Sequence, residues 1–135
     1  MLDGLVDIFL PDLKYFDSRL GEKYSGVPKY FEYASEAIRT MFAMTGPARI
    51  GDDGLSKRGM IIRHLVLPWQ WRDSCRCLDW IHETFGDNVF VSVMTLKSSK
   101  APTNYFTPNI LRKSWSRLVV SVVHLDALAF PVAAT

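Results

Sequence analysis

The stretch Gly59-Met60-Ile61-Ile62-Arg63-His64-Leu65-Val66-Leu67-Pro68 decides how this chain is read. A short run of aliphatic and β-branched residues, opened by Gly and closed by Pro, has the composition of a parallel-sheet strand covered on both faces. Alternation along a strand puts Ile61, Arg63, Leu65 and Leu67 on one face and Met60, Ile62, His64 and Val66 on the other. An arginine in the middle of such a strand is costly unless an anion meets it. Arg63 therefore answers either a structural carboxylate or chain end, or an anion at a functional site.

Upstream, Leu5-Val6-Asp7-Ile8-Phe9-Leu10 reads as a first apolar strand (5–10) ending at Pro11. Asp12 and Lys14 follow two apart, on one side of the chain if it is still extended. Asp17 can cap a short helix closed by Gly26. Pro28 opens a longer helix (28–45) whose stripe is Phe31, Ala34, Ile38, Met41 and Thr45, broadened by Tyr30, Ala37 and Met44, with Gly46 as its stop. From Pro47 to Arg58 the chain reads as loop, with Gly51-Asp52-Asp53-Gly54 as its turn; it lacks the ligand spacing of an EF-hand.

Downstream of the central strand (59–67), Asp73 is the expected N-cap of a helix (73–85) with Leu78, Ile81 and Phe85 as its stripe and Cys77 beside them. His82 reads as a surface histidine. Residues 89–94 form a third strand. The order strand, helix, strand, helix, strand predicts an α/β fold with a parallel β-sheet and crossover helices. In such sheets ligands gather at the C-terminal ends of the strands, where Asp12, Lys14, Arg63 and Leu65 converge on one rim.

Composition sets the outer bounds. The 135 residues, 48% hydrophobic and 22% charged, are enough for one globular core. A net charge of +2 does not argue for nucleic acid. Lys97, Lys100, Arg112, Lys113 and Arg117 nevertheless make a basic run, a solvated face or a docking site for an acidic partner. Cys75 and Cys77 are separated by a single residue, which fits neither a structural zinc site nor a Cys-x-x-Cys redox pair. No basic leader opens the chain, and His124, Asp126 and Pro131 break the apolar run 118–134, so a cytoplasmic protein without a membrane span is expected.

Four segments carry a resemblance: Leu10-Pro11-Asp12-Leu13-Lys14-Tyr15, Tyr24-Ser25-Gly26-Val27-Pro28, the Gly59–Pro68 strand, and Val91-Ser92-Val93-Met94. In this order and spacing they resemble the radical S-adenosylmethionine enzymes, and within them the pyruvate formate-lyase activating enzyme-like branch. The resemblance covers about residues 3–94 and implies the C-terminal part of a partial (β/α)6 TIM-like barrel, with 95–135 a divergent basic and apolar tail. It implies S-adenosylmethionine as cofactor: Asp12 and Lys14 near its amino-acid end, Arg63 near the nucleoside, Leu65 packed near adenine. It also implies a [4Fe–4S] cluster and a glycyl-radical-type protein substrate for the complete enzyme, whose activity is reductive cleavage of the cofactor.

The chain departs from that pattern in three places. It has no Cys-x-x-x-Cys-x-x-Cys loop and no Gly-Gly-Glu stretch, both of which precede the matched part in the family, and Trp69 stands where a Gly is expected soon after Leu67-Pro68. The resemblance therefore implies a fragment that lacks the cluster ligands, inactive alone, and completed by the missing N-terminal part of the barrel or by self-association. A small α/β binding module with a basic tail and a truncated product without function are the alternatives. Leu111, Trp115, Leu118, Val119 and Val122 have the spacing of a helix stripe, while Val119-Val120-Ser121-Val122-Val123 reads equally well as strand.

Overall fold

The structure, a computed structural model, describes residues 2–97 and 118–124. Among these residues it is a mixed α/β fold: an open, partly parallel five-stranded sheet with three α-helices. The elements are β1 (Ile8–Phe9), α1 (Ser18–Ser25), α2 (Tyr30–Thr45), β2 (Arg49–Ile50), β3 (Ser56–Val66), α3 (Trp71–Phe85), β4 (Phe90–Lys97) and β5 (Leu118–His124). The spatial order is β1-β3-β4-β5, with β2 paired to the start of β3.

β3 is the hub. It runs parallel to β1 (Ile8↔Gly59, Phe9↔Met60) and to β4 (Ile61↔Phe90 through Val66↔Thr95), and antiparallel to β2 (Arg49↔Arg58). The stretch read as loop from Pro47 is thus partly a hairpin, tightened by the Asp53–Lys57 ion pair at 2.6 Å. β5 adds to β4 in parallel register, Val91↔Leu118 through Lys97↔His124, which settles the valine-rich segment as strand. Of the basic run, Lys97 ends β4, while Lys100, Arg112, Lys113 and Arg117 lie outside the described residues.

Helix boundaries follow local chemistry. Asp17 caps α1 through the Arg19 N–H at 2.9 Å, and the Arg19 side chain and amide together hold the Asp17 carboxyl down at about 2. α2 begins at Tyr30, later than Pro28, because Lys29 sits in a left-handed conformation at its N-cap. Its C-terminal carbonyls are met by Arg58, which donates to Thr45 O at 2.8 Å and Met44 O at 3.2 Å. Gly59 has φ +123°, and a Cβ there would lie 2.5 Å from Ala48 Cα, so only glycine lets the hairpin fold onto the sheet.

The core lies on one face. Met60, Ile62 and Val66 of β3 and Val91 and Val93 of β4 pack against Ile38 of α2 and Cys77, Leu78, Ile81 and Phe85 of α3. Rings Phe16, Phe31, Trp80, Phe85 and Phe42 continue that layer, with successive centroids 4.3 to 5.7 Å apart. The strand 59–67 was expected to be covered on both faces. Among the described residues it is covered on one, because α2 and α3 pack on the same side; Arg63 on the other side keeps 45% of its side-chain surface. Arg63 therefore has solvent to hydrate it, and the desolvation that a two-sided strand would impose does not arise.

Candidate functional site

The site sits where β1 runs out along β3. Past Phe9 the chain stays in register: Arg63 N–H donates to Pro11 O at 2.8 Å, Asp12 bridges Arg63 in parallel, and Leu13 N–H donates to Arg63 O at 2.9 Å. This extended path makes side chains alternate. Leu13 goes fully into the core, while Asp12 and Lys14 stay exposed on the uncovered face. Asp12 and Arg63 meet there, Arg63 Nε donating to Asp12 Oδ1 at 2.7 Å. Only Nε is engaged; among the described residues the two terminal amino groups of Arg63 make no hydrogen bond and the Lys14 ammonium forms no ion pair. Leu65, half-buried, is two residues further along β3 on the same face, paired in register with Met94.

Asp12 and Arg63, singled out from sequence, are thus brought into direct contact. Lys14 and Leu65 are placed beside them by alternation and register rather than by contact with the pair.

Below the rim, three side chains from three elements hold the segment that carries Asp12 and Lys14. From α2, the Tyr30 hydroxyl accepts Lys14 N–H at 3.1 Å and donates to Asp12 O at 3.2 Å. From β3, His64 Nδ1 bonds Leu13 O at 2.5 Å. From α3, Asp73 accepts Phe16 N–H at 2.9 Å and Asp17 N–H at 2.8 Å. Asp73 is therefore not the N-cap of α3, which starts at Trp71 with Gln70 before it; its carboxylate is spent on a different segment. The sequence marks Tyr30 as stripe and puts His64 on one strand face with Met60, Ile62 and Val66, and neither reading names the hydrogen-bond partner found here.

Burial shapes the chemistry beneath the rim. His64 is 1% exposed, and burial lowers its pKa, so at neutral pH Nδ1–H donates to Leu13 O and Nε2 is left an acceptor without a partner among the described residues. Burial raises the Tyr30 phenol and pushes the Cys77 thiol well up, which leaves Cys77 a packing residue rather than a nucleophile. No group of three His, Cys, Asp or Glu among the described residues is arranged to hold a metal ion. Cys75 and Cys77 lie two apart on α3, Cys77 fully buried, and do not fit a three-thiolate cluster loop.

The fold and rim define an α/β protein with a charged site at the C-terminal ends of parallel strands, and no described helix is long and apolar enough to cross a membrane. Comparison of the chain with protein-family models, with curated proteins and with solved structures gives no match.

Proposed function

We propose that the uncovered face carries half of an S-adenosylmethionine site, and that the chain is part of a radical S-adenosylmethionine enzyme of the glycyl-radical-activating type. The observation that carries this reading is the Asp12–Arg63 pair, closed at 2.7 Å across two parallel strands at their C-terminal ends. Such a pair, with both side chains close to half exposed, contributes on the order of 0.5 kcal/mol to folding. Its polar groups remain available for a ligand on the open side.

The donor set fits the cofactor's ends. Lys14 is a cation for a carboxylate, Asp12 an acceptor for an ammonium, and the terminal amino groups of Arg63 are a fork for ribose or carboxylate oxygens. Leu65 offers apolar surface to a purine. These residues would bind and orient the cofactor, which when bound would supply the hydrogen-abstracting chemistry. The sequence has two cysteines, short of the three thiolates that a [4Fe–4S] cluster of that family would take from the chain. The uncovered face would line a barrel interior closed by the N-terminal part of the enzyme or by another copy, with a glycyl-radical-type protein as substrate. A reducing, cytoplasmic setting goes with this reading.

Calorimetric titration with S-adenosylmethionine tests it. Arg63→Ala should weaken binding about tenfold or more, the size of one charged hydrogen bond. No heat from a chain shown folded by circular dichroism would overturn the proposal.

A further inference from the structure

Pro11 O and Leu13 N–H are the groups turned toward β3, where both bond Arg63, so Asp12 O and the Lys14 N–H face the other way, off the β1 edge of the sheet, where no strand among the described residues meets them. The Tyr30 hydroxyl takes the place of the missing strand. By receiving Lys14 N–H and donating to Asp12 O it clips together the two ends of Leu13. That keeps residues 12–14 extended, the conformation in which side chains two apart share a face.

We propose that the Tyr30 hydroxyl is a positioning group that fixes how Asp12 and Lys14 are presented on the rim. The inference rests on the reading of that rim as a cofactor site. Three observations support it. The ring is itself held: it lies edge-on to Tyr15 with centroids 5.2 Å apart, and Gly21 of α1 approaches so closely that an added Cβ would be 2.5 Å from Tyr30 Cβ. Tyr30 stands in the first turn of α2, whose entry is set by Lys29 in the left-handed region, so the hydroxyl's position follows from the docking of a sixteen-residue helix. Burial raises the phenol's pKa, so the proton given to Asp12 O is retained at neutral pH. A phenylalanine would pack alike and leave both backbone groups without this partner.

Amide hydrogen exchange by NMR on the full chain tests the inference, alongside titration with S-adenosylmethionine. In the wild type the Lys14 amide should be protected. Tyr30→Phe should speed its exchange about tenfold, near the worth of one net hydrogen bond, and weaken cofactor binding by a similar factor. Tyr15→Phe is the control: it removes a hydroxyl bonded to Ser25, in the same aromatic group, and should change neither. An unprotected Lys14 amide in the wild type overturns the inference without any variant. So does unchanged exchange in Tyr30→Phe, or equal cofactor affinity in that variant and the wild type. If the wild type does not bind the cofactor, yet Tyr30→Phe alone frees the Lys14 amide, the positioning role stands and the ligand reading fails.

Discussion

Asp73 is 56 residues from Asp17, yet its carboxylate accepts the Asp17 amide at 2.8 Å, and the Phe16 amide at 2.9 Å through its other oxygen. One buried side chain thus fastens the start of α3 to the turn that precedes α1. Both bonds have an ionised acceptor, which makes them stronger than neutral ones. Asp73→Ala should cost about 3 kcal/mol in urea unfolding and Asp73→Asn about half as much. A loss below about 1 kcal/mol for the alanine variant would show the turn to be held by packing alone.

Trp69 has φ +66° and is 75% exposed, so it bears left-handed backbone strain without much packing in return. Trp69→Gly should raise stability by about 1 kcal/mol, or about 4 °C in Tm. A lower Tm would mean that the indole has a contact worth more than the strain.

Gly59→Ala should be the reverse. The backbone conformation at φ +123° and the 2.5 Å approach of Ala48 Cα both oppose a side chain, and the opposing atom is main chain, which cannot swing away. A cost of about 3 kcal/mol is expected from calorimetric melting, well above that of an ordinary surface change.

His64 sets an acid limit. Its folded pKa lies below the ordinary 6.5 because it is buried, so the unfolded chain takes up the proton first as pH falls. Its contribution is complete above that value, declines as pH drops through it, and levels off only below the folded pKa. Tm should therefore fall as pH drops below about 6.5, and His64→Gln should flatten that slope. An unchanged slope in the variant would assign it to other groups.

What sequence could and could not tell separates cleanly by range. The parallel strands around residues 59–67 and 89–94 and the helices through Ile38 and Ile81 were legible because periodicity is local and strong. The Asp12–Arg63 meeting was legible as shared rim, since alternation and strand direction place both side chains. The role of Asp73 was not: an acid just before a helical stripe looks like a cap, and nothing local says that its carboxylate is claimed from 56 residues away. Nor was the β2 hairpin legible, because two residues are too few for a period. One-sided coverage of β3 escaped the reading because an aliphatic run looks the same whether helices lie on one face or two.

The central place of β3 has a kinetic side. Its pairing with β4 closes through a single helix, whereas the pairing with β1 joins residues 51 apart, as in the Asp12–Arg63 contact. Longer closures forfeit more chain entropy before any contact rewards them. β3, α3 and β4 should therefore assemble first, and the two-residue β1 should dock late and open early, ahead of the rest of the sheet in native-state hydrogen exchange. The rim that holds Asp12 and Arg63 would then exist only in the fully folded chain, its last part to form and its first to come undone.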